Sequence, residues 1–300
     1  MNTNYSVKSI CRLLGYTAQA YHKKNKHNLI QRVNNDLIIQ QVYELRKLQP
    51  RCGSRKLLID LQPFLQQHHI SIGRDYFFHL LAKNKLLIRK TKRSTHTTNS
   101  KHHFRKYPNL AKDFTPIKAH ELWVSDITYI PLKNRFAYLF LITDAYSRKI
   151  VGHHVSDDMK VSSAVVALKK ALAQKPVETI VIHHSDRGIQ YCSTEYVNLL
   201  QQHHALISMT QSGDPLENAI AERVNGILKT ELISSSYEDI EKASVSIARA
   251  VIIYNYKRRH SSLNYQIPNE VHQQKGPQIR RWKNYYPTPV KVNKEVVKNE

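Results

Sequence analysis

The order of strand-like and helix-like runs after Pro116 constrains the fold more than any other feature of this chain. "LWVSDITYI", "FAYLFLITDAY" and "KIVGHHVS" are rich in Val, Ile, Tyr and Phe, are separated by turn residues, and read as three adjacent strands. "VSSAVVALKKALAQK" puts Ala and Leu on one face and reads as a helix with Ser162 or Ser163 near its cap. "TIVIHHSD" reads as a fourth strand and "ALISMTQ" as a short fifth. "PLENAIAERVNGILKTELI", entered through Pro215, and "YEDIEKASVSIARAVIIYNYKRR" read as helices. This order predicts an α/β layer, with helices packed on a mixed sheet. In a sheet that opens with a hairpin and continues by a crossover, the fourth strand can lie beside the first.

Within that frame, three carboxylates stand out. Asp126 lies mid-strand between Val124, Ile127 and Ile130, where a charge is costly unless it is paired or binds a metal. Asp186 ends the fourth strand, in "HHSDRGIQY", so both acids point toward one edge of the sheet. Glu222 shares a helix face with Asn218, Asn225 and Lys229, which lie at offsets of −4, +3 and +7 from it. Ile220, Val224, Ile227 and Leu228 lie elsewhere on that helix and supply a packing face. Taken singly, each acid has a plain reading: Asp126 in a turn hydrogen bond, Glu222 in a surface pair with Lys229 or Arg223. Taken together they suit two hard divalent cations. Mg²⁺ takes oxygen ligands and keeps positions open for phosphate oxygens. Two such ions ~3.5–4 Å apart stabilise the attacking and leaving oxygens of an in-line displacement at phosphorus.

Charge supplies the substrate class. The 300 residues carry 46 Lys+Arg against 23 Asp+Glu, a balance of +23. Such an excess points to a polyanion, and nucleic acid is favoured over a membrane surface because no strongly amphipathic basic helix stands out. No apolar run approaches the ~18 residues of a membrane helix, and the N-terminus lacks a signal-peptide layout. The three cysteines, Cys11, Cys52 and Cys192, form no CxxC, so a reducing cytoplasm is expected and a thiolate zinc site is not.

Upstream, "YSVKSICRLLGYTAQAYHKK" reads as two short helices around Gly15, with Thr17 capping the second, and a further helix is expected over 36–48. Ser54 and Ser71 are candidate caps of two more helices, a pattern compatible with a helix-turn-helix or equally with a small helical bundle. No acid occurs between Asp75 and Asp113, while ten Lys and Arg do. The part "TKRSTHTTNSKHHFRKYP" therefore reads as a basic linker, either solvated or laid along phosphates, and the total charge favours the second. Tyr254, Tyr256, Lys257, Arg258, Arg259 and His260 form a basic aromatic cluster, suited either to phosphate contact with base stacking or to helix packing. Asp144, in "LITDAYSR", is read as a turn acid.

These stretches carry a resemblance. Asp186 and Glu222 are separated by 35 residues, with Lys229 seven beyond, which resembles the DDE signature of retroviral-type integrases and insertion-sequence transposases. "LWVSDITYI", "LITDAYSRKIVG", "HHSDRGIQYCS", "SMTQSGDPLENAIAERVNGILKTEL" and "YNYKRRHSSLNYQIPNEV" resemble, in order and spacing, the second-reading-frame protein (OrfB) of the insertion-sequence-3 family. "SVKSICRLLGYTAQAYHK" and the 52–90 segment resemble that family's pre-catalytic region. The resemblance implies a ribonuclease-H-like catalytic domain, here a mixed five-stranded sheet flanked by helices, preceded by a small all-α helix-turn-helix-like region. The expected divisions are 1–45 (helical), 46–95 (helix-turn-helix-like), 96–115 (basic linker), 116–275 (DDE core) and 276–300 (basic tail).

The resemblance further implies that Asp126, Asp186 and Glu222 are both catalytic residues and metal ligands. The cofactor is expected to be Mg²⁺, or Mn²⁺ as a substitute, with two ions per site. Lys229, Asn218, Asn225, Lys257, Arg258 and Arg259 are expected to contact DNA. The expected partners are double-stranded DNA of element ends and target, a first-frame partner (OrfA) or a frameshift fusion with it, and further copies of this chain on DNA, with no membrane. The expected location is a bacterial cytoplasm, at the nucleoid. The implied activity is DNA cleavage and strand transfer; the competing readings are a catalytically inactive DNA-binding repressor and a structure-specific nuclease. Glu217 stands where the family commonly has Asp, and Val224-Asn225 replaces a frequent aromatic pair. The retroviral zinc-binding HHCC domain is not present, and His184 is a minor metal candidate because hard cations prefer oxygen.

Overall fold

The computed structural model describes residues 6–88, 104–211 and 215–278. Four helices come first: α1 (Val7–Leu13), α2 (Ala18–Leu48), α3 (Ser54–Gln67) and α4 (Arg74–Lys83). Thr17 caps α2 as expected, its Oγ1 accepting from Ala20 N at 3.1 Å, and Gly15 makes the preceding turn at φ +73°. The separate helix expected over 36–48 is instead the end of α2, which runs unbroken for 31 residues. The reason lies in its composition: no Gly or Pro falls between 18 and 48 to stop it. Gly53 and Gly73, not Ser54 and Ser71, are the N-caps of α3 and α4. Ile38 and Val42 of α2 meet Leu57, Leu61 and Leu65 of α3 and Phe77, Leu80 and Leu81 of α4 in one core, so this region has a hydrophobic centre of its own.

The α/β unit follows. Its strands are β1 (Leu122–Pro131), β2 (Phe136–Asp144), β3 (Ile150–Ser156), β4 (Ile182–Ser185) and β5 (Leu206–Met209), in the spatial order β3-β2-β1-β4-β5. β2 runs antiparallel to its neighbours β1 and β3, while β4 runs parallel to β1 and β5 parallel to β4. The mixed sheet, with its fourth strand beside the first, is the one the sequence predicts.

Alternation along β2 sends successive side chains to opposite faces. Phe140 and Ile142 join Trp123 and Val151 under α5 (Val161–Leu172) and α7 (Thr194–Gln202). Leu139 and Leu141 join Ile130 under α8 (Ala219–Ile227) and α9 (Ile240–Tyr256). The short helices α6 (Ile189–Cys192) and α10 (Pro268–His272) complete the set. On the α5 face, a Cβ on Gly152 would lie 2.3 Å from the Ala167 carbonyl oxygen, so glycine permits the close approach of β3 and α5. Lys160 caps α5, and Ser163 Oγ instead bonds Ser156 and Asp158.

Residues 104–111 do not stand away from the protein. Phe104 and Tyr107 pack on the α5-side core, Met209 N donates to Pro108 O at 3.2 Å, and Leu110 N donates to Ser208 Oγ at 2.8 Å. The part of the expected linker from 104 on thus covers the edge of β5; its residues 96–103 lie outside the described residues. Asp144 is the turn acid expected. Fully buried, it accepts from His120 N, Ser147 N and Ser147 Oγ at 2.7, 2.8 and 2.6 Å.

Candidate active site

The parallel ladder sets two of the three acids. Leu122, Trp123 and Val124 pair with Ile182, His183 and His184, a constant offset of 60 (182 − 122 = 60). Asp126 and Asp186 share it (186 − 126 = 60), each two residues past the last paired position. They therefore sit where β4 ends, at the carboxyl edge of the parallel strands, where open α/β sheets place their ligand sites. Asp186 Oδ1 accepts from Gly188 N at 3.0 Å, and a Cβ on Gly188 would press on that same oxygen.

Asp126 is the best defined of the three. Its Oδ1 accepts from Ile127 N at 2.9 Å and its Oδ2 from Asn225 Nδ2 at 2.7 Å. Burial raises its pKa to about 7, and the nearby charges of Asp186 and Glu222 push the same way, against the two hydrogen bonds. The coupling to both acids means that the three carboxylates share one electrostatic neighbourhood.

The chain reaches α8 through a 3₁₀ turn, Pro215–Asn218, and leaves it through a π-turn, Leu228–Leu232, so the single helix expected over this run is three pieces. Asn218 Nδ2 donates to Ser125 O at 2.9 Å, which pins the start of α8 to β1. Asn218 and Asn225 are buried rather than presented to solvent, and the Oδ1 of each finds no partner among the described residues. Glu222 is on the exposed side of α8. Lys229, on the π-turn, is half-buried; burial lowers its pKa, and the Asp126 charge opposes that shift.

The donor set fits a hard cation in kind: carboxylate and amide oxygens, with a cluster of negative charge that a cation would relieve. Among the described residues, however, no three Asp, Glu, His or Cys side chains already converge closely enough to hold one ion. His184 is not available as a ligand. Its Nε2 lies 3.1 Å from Glu217 O, an acceptor, and its Nδ1 lies 2.8 Å from Ser208 Oγ. The ring is thus a neutral tautomer carrying its proton on Nε2, spent on holding the approach to α8. His183 is equally committed, with Nε2 2.7 Å from Ser125 Oγ and 3.0 Å from Tyr196 OH; burial takes its pKa down to about 3.

The expected DNA-contact cluster after α9 divides. Lys257 is exposed, whereas Arg258 is 3% exposed and pairs through Nε and Nη2 with Glu231 at 2.9 Å each. Arg259 pairs with Asp60 of α3 at 2.5 Å. Tyr254 is fully buried and packs in the core, while Tyr256 is exposed. Sequence reasoning missed Glu231 altogether; an acid two residues after Lys229 carried no signal of its distant partners.

Comparison with known proteins adds a family context. Integrase core domain models match residues 116–215 and 203–268. A 31 kDa protein of insertion element IS600 from Shigella sonnei is 30% identical over 259 residues, covering 85% of this chain and 94% of that protein. The putative transposase for insertion sequence element IS986/IS6110 of Mycobacterium tuberculosis is 36% identical over 152 residues, 48% of this chain and 55% of the relative. Transposase InsF for insertion sequence IS3A of Escherichia coli K12 is 34% identical over 158 residues, 51% and 54% of the two chains. The chain spans about half the length of these last two.

Proposed function

The chain belongs to the insertion-sequence transposases of the IS3 type with an integrase core, and from that premise we propose that Asp126, Asp186 and Glu222 carry its cleavage and joining of DNA strands. The observation that supports this most is the common offset of Asp126 and Asp186 on adjacent parallel strands, with Asn225 of the third acid's helix bonded to Asp126. Two Mg²⁺ ions, with Mn²⁺ as substitute, held by these three carboxylates would activate the attacking water or 3′-hydroxyl and neutralise charge at the scissile phosphate.

The protein's own groups prepare that chemistry. Asn225 and Ile127 N fix the Asp126 carboxylate from both oxygens, and Gly188 N fixes Asp186. Burial and the neighbouring acids make Asp126 readily protonated near neutral pH, and a bound cation would favour its ionised form. Glu222, exposed on α8, would be the third ligand. Lys229 holds a DNA phosphate beside the acids, and Lys257 adds a second, exposed contact. Asn218 and Asn225 serve by positioning β1 and Asp126, while Arg258 and Arg259 serve inside the protein.

On this reading 1–45 and 46–95 form the helical region, 96–115 joins it to the catalytic core at 116–275, and 276–300 is a basic tail. The partners are double-stranded element ends and target, a first-frame protein (OrfA) or a fusion with it, and further copies of this chain assembled on DNA. The working place is the bacterial cytoplasm, at the nucleoid.

An in-cell excision and circle-formation assay tests the reading, with both reading frames and the element's flanking ends supplied. Wild type should give joined ends and Asp186→Asn none. Equal product from both removes Asp186 from the chemistry. Cleaved but never joined ends indicate a nuclease, and DNA binding without product from either indicates a binding protein.

A further inference from the structure

The π-turn at the end of α8 is held in part from outside the catalytic core. It carries Lys229, four residues beyond the Asn225 that bonds Asp126 Oδ2, and two residues on it carries Glu231. Glu231 accepts from Arg258 twice and from Lys56 Nζ of α3 at 2.8 Å. Arg51, just before α3, reaches Thr230 O at 3.5 Å. One turn further along α3, Asp60 pairs with Arg259. Lys56 and Glu231 keep only 12% and 19% of their side-chain surface exposed. These are therefore enclosed contacts in which an unpaired partner is costly, unlike the exposed pairs elsewhere on the surface.

A π-turn admits one extra residue into a helical turn and is less tightly self-bonded than the α-helix before it. Its conformation depends correspondingly more on outside contacts. The contacts it has come from two sides: Arg258 after α9, and Lys56 with Arg51 from the helical bundle. Moving the bundle would take Lys56 from Glu231 and Arg51 from Thr230, leaving Arg258 alone to hold the turn that carries Lys229.

We infer that Lys56, Asp60, Glu231 and Arg259 are positioning residues, through which the N-terminal helical bundle clamps the π-turn and holds Lys229 against the acid cluster. The bundle thus acts as one wall of the catalytic site as well as a separate folding unit. The inference rests on the reading that Lys229 serves strand joining.

The test uses the full chain with a radiolabelled duplex of an element end and Mg²⁺. Lys56→Met removes the bundle's cation and leaves the Glu231–Arg258 pair. Asp60→Arg and Arg259→Asp each break the second pair, and the double variant rebuilds it reversed. Each single variant should slow single-turnover joining by about 10- to 100-fold, the penalty of a small misplacement, with duplex affinity within about twofold. Acylation of Lys229 by an amine-reactive ester, read by mass spectrometry, should speed up in the singles while the thiol of Cys192 stays protected. The double variant should recover both. Unchanged Lys229 acylation in the singles, or no recovery in the double, overturns the inference. Loss of duplex affinity in Arg259→Asp that the double fails to restore makes Arg259 a phosphate contact instead. Exposure of Cys192 alongside Lys229 makes the clamp merely a support for folding. No joining by wild type overturns the functional reading and leaves Lys229 acylation to judge the clamp alone.

Discussion

Asn225 donates its side-chain amide to Asp126 Oδ2 at 2.7 Å, across the gap between α8 and β1. The bond joins the strand that brings one acid to the helix that brings another. It also favours the ionised form of Asp126 against burial and two neighbouring charges. Asn225→Ala should leave Asp126 more easily protonated and less well aimed. Mn²⁺ affinity by calorimetry, and joining at pH 7, should each fall by about 10- to 100-fold, as when an outer partner of a metal ligand is removed. An affinity unchanged within error would detach Asn225 from the site.

The raised pKa of Asp126 has a stability consequence in the cation-free protein. The ordinary value is 3.8 and the folded value about 7, so the folded state binds the proton more tightly. Stability should therefore fall as pH rises through that window and level off above it. Asp126→Asn removes the penalty: at pH 8 in chelator it should unfold at higher denaturant, by about 1–3 kcal/mol, and should match wild type near pH 4. A wild-type midpoint flat from pH 4 to 8 would contradict this.

Lys229→Ala should weaken duplex binding with little effect on cation affinity. A single phosphate contact predicts a salt dependence of log K shallower by about one unit of slope. Titrations of duplex at several salt concentrations read this directly. Collapse of cation affinity with normal duplex binding would reverse the assigned role.

Gly152→Ala is predicted to destabilise the fold without touching the site. Its Cβ would sit 2.3 Å from the Ala167 carbonyl oxygen and 3.0 Å from Ala171 Cβ. The backbone of α5 would have to move off β3, at a cost of about 1–3 kcal/mol. Thermal unfolding measures it, and an unchanged midpoint would mean that α5 shifts freely.

Much of the fold was legible because alternation and β-branching mark strands locally. The fourth strand's place beside the first followed from one hairpin and one crossover. Asp126 was legible as a candidate because a charge among Val124, Ile127 and Ile130 conflicts with its surroundings. What stayed hidden depends on partners distant in sequence. Arg258 and Arg259 look in sequence like a free basic run, yet their partners Glu231 and Asp60 lie 27 and 199 positions away. Asn218 and Asn225 share a face with Glu222 on an ideal helix, but the 3₁₀ turn before α8 and the packing on β1 turn them inward. The two caps misassigned to Ser54 and Ser71 fell to glycines, whose backbone takes the cap conformation without a side-chain bond.

The shared offset of Asp126 and Asp186 separates two kinds of length in this chain. Their meeting is fixed by which backbone groups of β1 and β4 face each other, not by the 59 residues between them (186 − 126 − 1 = 59). Residues 173–180, between α5 and β4, can therefore lengthen or shorten while the acids stay level. A one-residue slip of β4 along β1 would move Asp186 by about 3.3 Å and turn every side chain of that strand to the other face. The loops that cross the sheet tolerate a change of length; the ladder they connect does not tolerate a slip.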